Sequence, residues 1–471
     1  MDTKKLRQKI LDLAIRGKLV PQDPNDEPAS ILLERIRAEK EQLIKEGKIK
    51  RSKKSVASDT SHYENVPFEV PESWCWTTLG EIGNWQAGAT PSRMRKDYYG
   101  GNIPWLKTGD LTDGYIYEIP ETITDKALEE TSVKLNPTGS VLIAMYGATI
   151  GKIGILTFPA TTNQACCACV DYKAVTPKYL FNFLLSHKEE FVKMGGGGAQ
   201  PNISKEKIVS TLIPIPPIAE QNRIADEIER LITYIEAIEL NQGRLEQSLK
   251  LCKERILDMA LSGKLIPQDQ DDEPAIELLR KINPSFTPAD NRHYENVPKG
   301  WCFAKIKDIF IINPKNKAND YDMAGFVSMS MINEGYVDSY QYETREWSSI
   351  KAGFTHFQDG DIAVAKISPC LENRKSMILK GLPNGIGAGT TELHVFRSSI
   401  VDARYALYFF KSDYFIAQCI GTFNGVVGQQ RVGKSVIEDI VFPLPPLEEQ
   451  CRIACTISVI FKHLDNILSE L

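Results

Sequence analysis

The sequence predicts an α+β multidomain chain. Two similar mixed α/β domains are separated by two long antiparallel coiled-coil helices, arranged as a circular pseudo-twofold internal repeat. Three observations carry this reading. First, "ILDLAIRGKLVPQDPNDEPASILLERI" (10–36) returns as "ILDMALSGKLIPQDQDDEPAIELLRKI" (256–282), with 17 identities in 27 positions. Second, "IPIPPIAEQNRIADEI" (213–228) returns as "FPLPPLEEQCRIACTI" (442–457). Third, each of these latter motifs opens a run of Ile and Leu in steps alternating four and three, which is the seam of a helix that pairs with another helix.

The helices come first. Residues 220–261 read as one helix with a seam of Ile224, Ile228, Leu231, Ile235 and Ile238, then Leu245, Leu249, Cys252 and Ile256. At 1.5 Å per residue it would be about 63 Å long. The C-terminal segment repeats the first half of that seam as Ile453, Ile457, Ile460, Leu464, Ile467 and Leu471. The N-terminal segment supplies the second half as Leu6, Ile10 and Leu13. Together the two ends rebuild the central helix with a few residues missing. The repeat is therefore circular, the termini are expected close together, and the split helix should run antiparallel to the central one.

The remaining segments follow in chain order. Residues 1–36 form a helical arm, and 37–61, "RAEKEQLIKEGKIKRSKKSVASDTS", form a polar, basic linker. Residues 62–216 and 293–445 are the two α/β domains. Between them, 217–282 hold the central helix and its arm, and 283–292 a short linker; 446–471 form the last helix. "GSVLIAMYGATIGKIGILTF" and "GDIAVAKISPCLENRKSMIL" read as strand-and-turn stretches, while "YLFNFLLSHKEEFV" and "YALYFFKSDYFIAQCI" read as amphipathic helices in matching places. The domain loops diverge: "NIPWLKTGDLTDG" has only a distant counterpart in "MAGFVSMSMINEG". Like frames with unlike loops predict two related but different recognition surfaces.

Bulk properties narrow the function. The net charge of −5 and 25% charged residues exclude a chain coated in positive charge, but not one with local basic grooves. The first residues form a charged amphipathic helix rather than a secretory leader, and no apolar run approaches a membrane span. The ten cysteines and six histidines show no zinc-ligand spacing, and the thiols read as reduced and mostly buried, as in a cytoplasmic protein. Neither an N-P-P-Y-like methyltransferase motif with a glycine-rich cofactor loop nor a nuclease cluster stands out, so no catalytic residue and no metal site is assigned.

One motif points elsewhere. "GQQRVGKS" (428–435) fits the phosphate-loop pattern G-x-x-x-x-G-K-[ST]. The repeat acts as its control: the aligned segment "AQPNISKE" (199–206) lacks both glycines. The following "VIEDIVFPLPP" also predicts only a short turn of helix and a proline-ended strand. A phosphate loop needs a strand before it and a full helix after it, so both segments are read as matched surface loops.

With these residues in view, the chain resembles the specificity subunit of a type I DNA restriction–modification system. The resemblance rests on the doubled "PPIAEQNRIADEI" and "PPLEEQCRIACTI", on "AGATPSRMRKDYYGGNIPWLKTGDL", "YGATIGKIGI", "TTNQACCACV" with "GTTELHVFR", and on "GGGGAQPNISKEKI". It implies a non-catalytic chain whose two target-recognition domains each read one half of a split site on double-stranded DNA. The helices would space the domains and dock two methyltransferase subunits, with restriction/translocase subunits joining. S-adenosylmethionine, ATP and Mg are expected on those partners and no cofactor on this chain. The arm with "GKLVPQD" departs from the pattern, so residues 24–61 carry no assigned role.

Residues that could touch DNA are the cations and amides in glycine-flanked loops. In the first domain they are Arg93, Arg95, Lys96, Lys107, Tyr146, Lys152, Gln200, Asn202 and Lys205; Asn202 could equally cap the helix that begins near Ser204. In the second they are Lys315, Lys317, Lys366, Arg374, Lys375, Gln429, Gln430, Arg431 and Lys434. Trp85, Trp105 and Trp347 read as core rather than base-stacking groups. Three alternatives stay open: the specificity chain of a related system with a fused nuclease–methyltransferase partner, a coiled-coil adaptor without DNA contact, and a nucleotide-binding protein using 428–435.

Overall fold

The computed structural model describes residues 2–46, 66–196, 202–291, 293–294, 297–422 and 430–470. The chain divides into two compact units, Met1–Asn241 and Gln242–Leu471. The division falls inside a single helix, Ile218–Leu261, whose 44 residues amount to a rise of roughly 66 Å. The segments expected from sequence are thus regrouped: each half of the helix belongs with one α/β domain and with one arm.

In the first unit a ribbon of Cys75–Thr78 and Leu212–Ile215 ties the start of the domain to its end. Inside lie a five-stranded sheet, in the order Gly83–Ala87, Cys166–Asp171, Val141–Ala144, Ile153–Leu156, Gly114–Ile116, and a three-stranded sheet built on Tyr99–Leu106. Val141–Ala144 and Ile153–Leu156 are buried throughout, as strands covered on both faces must be. Helix Pro177–Ser186, capped by Thr176, contributes Tyr179, Leu180, Phe183 and Leu184 to the core.

The second unit repeats this plan. Its ribbon pairs Cys302–Lys305 with Val441–Leu444 in the same register. One four-stranded sheet runs Ile311–Ile312, Leu393–Arg397, Ile362–Ala365, Ser376–Ile378, and another is built on Met323–Val327. Helix Ala403–Phe410, capped by Asp402, matches Pro177–Ser186.

The doubled P-P-x-x-E-Q motif is the joint of each unit. Consecutive prolines end the ribbon strand, because they lack the N–H that would continue it, and their fixed φ starts the long helices. Glu220 then accepts hydrogen bonds from Trp74 Nε1 (3.0 Å) and Gln22 (2.7 Å). Glu449 accepts them from Trp301 Nε1 (3.0 Å) and Gln268 (2.9 Å). Gln221 Oε1 accepts from Thr176 N, and Gln450 Oε1 from Asp402 N, both at 2.7 Å. Arg223 pairs with Asp26, as Arg452 does with Asp272. The "GKLVPQD" arm, unassigned from sequence, therefore locks the joint through Gln22 and Asp26. Its Gly17 has φ +65°, with Pro71 2.5 Å from where a Cβ would stand; Gly263 repeats this at φ +70° and 2.3 Å from Pro298.

Within each unit the arm or terminal helix runs antiparallel to its half of the long helix, as expected. Arg7 pairs with Glu239 while Asp26 pairs with Arg223; Lys253 pairs with Asp465 while Asp272 pairs with Arg452. The residues expected in the seam are covered to different degrees, with Thr3–Ile15 packed on Pro177–Ser186 and Leu447–Ser469 on Ala403–Phe410. Ile10, Ile224, Ile228, Ile235, Leu249, Ile453 and Ile457 are buried, and Leu6, Leu13, Leu231, Ile238, Leu245, Ile256, Ile460 and Leu464 are partly covered. Two seam positions fail. Ile467 is 44% exposed, and Cys252 is exposed while Lys253 and Phe461 take the covered places. A straight helix drifts about 20° per heptad against a strict seven-residue repeat, so the covered face shifts by one residue along its length. Leu471 lies outside the described residues.

Candidate nucleic-acid interface

Antiparallel register brings the sequence-selected loops of each domain to one end of its main sheet. In the first domain Ala87 pairs with Cys167, and Ala144 with Cys166. That end therefore gathers the loop after Gly83–Ala87, the turn before Cys166–Asp171 and the connection 145–152. Backbone bonds fasten them: Ala89 N to Thr162 O (3.0 Å), Asn163 N to Leu106 O (2.9 Å), Met145 N to Ala165 O (2.8 Å) and Ile203 N to Met145 O (2.9 Å). Tyr146 and Asn202 form an isolated bridge there. The result places Arg93, Arg95, Lys96, Lys107, Tyr146, Lys152, Asn202 and Lys205 on connected loops. Asn202 is exposed and does not cap the following helix; Ser204 does, accepting from Lys207 N.

The second domain repeats the arrangement. Ala365 pairs with Leu393, Lys366 N donates to Glu392 O (2.9 Å), Val432 N to Lys366 O (2.9 Å), and Ile367 bridges Arg431. Lys315 and Lys317 are exposed beyond Ile311–Ile312, and Asn316 between them is anchored on His356 and Phe357. Gln430 accepts from Ser368 N through its carbonyl at 2.9 Å. Lys434 opens the six-residue helix Lys434–Asp439, followed by the strand Val441–Leu444. A helix that short, preceded by a bridge rather than a buried strand, is not a phosphate-loop setting. Gln200 and Gln429 lie outside the described residues.

Two selected residues belong to the interior instead. Arg374, at φ +58°, has a side chain only 10% exposed; it donates to Lys411 O (3.0 Å), pairs with Glu254 and Asp413, and lies 4.9 Å over the Tyr336 ring. Lys375 donates to Met329 O and faces Glu334 at 3.7 Å. The tight turn before Ser376–Ile378 points both inward, where a cation persists only with partners.

Sequence reading missed the carboxylates that hold the surface cations. Glu121 accepts from Arg93 (2.9 Å) and Lys107; these two partners, Lys107 first, hold its carboxyl below the usual range. Asp97 takes Nε and Nη2 of Arg95 (2.9 and 2.8 Å) and Lys126 (2.9 Å), and the Arg95 bonds chiefly hold its carboxyl well below the usual range. Glu392 takes Nε and Nη2 of Arg431 (2.8 and 2.9 Å). Arg93 also lies 4.5 and 5.0 Å over Tyr99 and Trp105, and Arg95 4.4 Å over Tyr98. Trp85, Trp105 and Trp347 are core residues, each 2% exposed.

Two copies of one frame, each ending in a differently furnished polar edge, define a two-headed recognition protein. The family model of the type I restriction modification DNA specificity domain matches residues 71–250 and 298–471, more than half of the chain, and the chain belongs to that family. It is similar to the type I restriction enzyme EcoEI specificity subunit of Escherichia coli, 38% identical over 248 residues, which are 48% of this chain and 42% of that one. The EcoAI specificity subunit of Escherichia coli is 38% identical over 247 residues, with the same coverage of both chains. The EcoKI specificity subunit of Escherichia coli (strain K12) is 21% identical over 422 residues, 85% of this chain and 84% of that one. The alignments with the EcoEI and EcoAI subunits thus span less than half the length of those relatives. Among solved structures, a chain from a study of complex assembly and conformational transition of the type I R-M system superposes with a TM-score of 0.62 at 16% identity, covering 86% of this chain and 94% of that one. The HsdS subunit from Thermoanaerobacter tengcongensis superposes with a TM-score of 0.52 at 16% identity, covering 86% and 93%. These two likenesses establish the fold. No helix among the described residues is long and apolar enough to cross a membrane.

Proposed function

We propose that this chain is the sequence-specific DNA-binding subunit of a type I restriction–modification complex and has no catalytic activity of its own. Each domain reads one half of a bipartite target on double-stranded DNA. The long helices space the domains and dock two methyltransferase subunits and the restriction/translocase subunits. S-adenosylmethionine, ATP and Mg are bound by those partners in a cytoplasmic assembly. The observation that carries this reading is the repeated frame with unlike ends: matching joints at Glu220 and Glu449 support loops of different sequence, as in "NIPWLKTGDLTDG" and "MAGFVSMSMINEG". Phosphate contacts position a protein on DNA and base contacts specify it, so divergent cation- and amide-bearing loops on a common frame suit two different half-sites.

Coexpression with the cognate methyltransferase subunit, followed by genome-wide mapping of methylated adenines, tests the proposal. A shared bipartite motif with a fixed gap is expected. Replacing residues 62–216 with the matching domain of another such subunit should change one half-site only. Methylation without a shared motif, or a change in both halves, would overturn it.

A further inference from the structure

The loop 93–98 carries more order than an exposed loop needs. Arg95 presents the Nε–Nη2 edge of its guanidinium to both oxygens of Asp97 (2.9 and 2.8 Å) and lies 4.4 Å over Tyr98. Tyr98 is 7% exposed and sits in a core with Trp105, Ile123, Ala127 and Val133. Its hydroxyl donates to Glu130 at 2.8 Å, while Arg95 Nη2 reaches Glu130 only at 3.4 Å. Asp97 is held in turn by Lys126 at 2.9 Å. Met94, between Arg93 and Arg95, is 93% exposed, so the loop faces solvent at this point.

Stability does not account for this. Exposed ion pairs contribute little, and holding an arginine in one rotamer costs conformational freedom. The frame does not require it either. The matching segment of the second domain, Asn313–Asn319, follows its strand with no arginine and no comparable pair. An immobilised guanidinium on a solvent-facing loop fits a ligand-reading group ordered before binding, and in the second domain Arg431 is gripped by Glu392 in the same edge-on way.

We propose that Arg95 reads a guanine in the half-site of the first domain, with Asp97 as its positioning residue; this rests on the DNA-reading function proposed above. A guanidinium has two edges with paired donors. Asp97 grips the side-on edge, which leaves the end-on Nη1–Nη2 edge, with Nη2 3.4 Å from Glu130, to meet a ligand. Those two donors match the O6 and N7 acceptors that guanine alone presents together in the major groove. The long Nη2–Glu130 contact is the one that base pairing would replace.

The test uses the assembled complex with its methyltransferase. Methylation maps are compared for the wild type, Arg95→Ala and Asp97→Asn, with domain exchange assigning the half-sites. The expected result is a guanine in the first-domain half that becomes degenerate in Arg95→Ala and partly so in Asp97→Asn, with the other half unchanged. Independently, 7-deazaguanine at that position removes N7. It should weaken duplex binding by the wild type about ten-fold and leave Arg95→Ala binding unaffected. An unchanged motif methylated less completely would mark Arg95 as a phosphate contact and overturn the inference, as would equal sensitivity of both proteins to 7-deazaguanine. A wild-type map with no shared motif would instead overturn the DNA-reading proposal itself.

Discussion

Trp74 donates its indole N–H to Glu220 at 3.0 Å, and Trp301 makes the same bond to Glu449 at 3.0 Å. Both carboxylates are buried at the foot of a long helix, and each also accepts from the glutamine of a "GKL[VI]PQD" arm. Replacing either glutamate with alanine leaves a buried indole N–H without an acceptor and takes one of the acceptors from the glutamine amide, which keeps Gly17 O or Gly263 O. Glu220→Ala and Glu449→Ala should each cost about 1–3 kcal/mol, read as a lower urea midpoint. Wild-type stability in both variants would show that the joint is held elsewhere.

The two arms turn on Gly17 and Gly263, each in the left-handed region with a proline ring where a Cβ would go. Alanine at either position must move backbone against Pro71 or Pro298 and adopt an unfavourable φ. A loss of about 1–3 kcal/mol is expected for each substitution, measured by thermal unfolding. A neutral or stabilising effect would contradict the described turn.

Arg374 and Arg431 look alike in the sequence, yet the fold separates them. Arg374→Ala should destabilise the protein by about 2 kcal/mol by stripping Glu254 and Lys411 O of their donor. It should leave the methylation motif unchanged. Arg431, on the exposed bridge with Ile367, is the position whose substitution should alter the second half-site. Motif mapping of both variants checks this, and a motif change in Arg374→Ala alone would reverse the assignment.

Lys411 is fully buried, with Nζ donating to Gly335 O (2.8 Å) and Arg374 O (2.9 Å). Burial pushes its amine down to about 7, against a weaker upward pull from Asp338. Between that value and the ordinary lysine range, the unfolded chain holds a proton that the folded chain has released. Stability therefore rises with pH across this window, and the cost of burying the charge is fully present below it. The wild type minus Lys411→Met difference in unfolding free energy should become more favourable to the wild type from pH 6.5 to about 8.5. A flat difference would mean that the amine keeps its proton.

What could be read from the sequence was whatever repeats or recurs locally. The circular repeat, the long helix and the antiparallel course of the terminal helices against it follow from doubled motifs and apolar spacing. Both are properties of neighbouring residues. Tertiary structure alone decided the rest. Arg374 and Lys375 turn inward while Lys315 and Lys317 stay out, and the seam passes from Cys252 to Lys253 because a straight helix drifts off a heptad. Glu121, Asp97 and Glu392 become the partners of Arg93, Arg95 and Arg431. For two of these pairs the partners lie 28 and 39 residues apart in the chain. A charge in a sequence says only that it must be solvated or paired. Which partner it finds depends on the folding that brings distant loops to one edge.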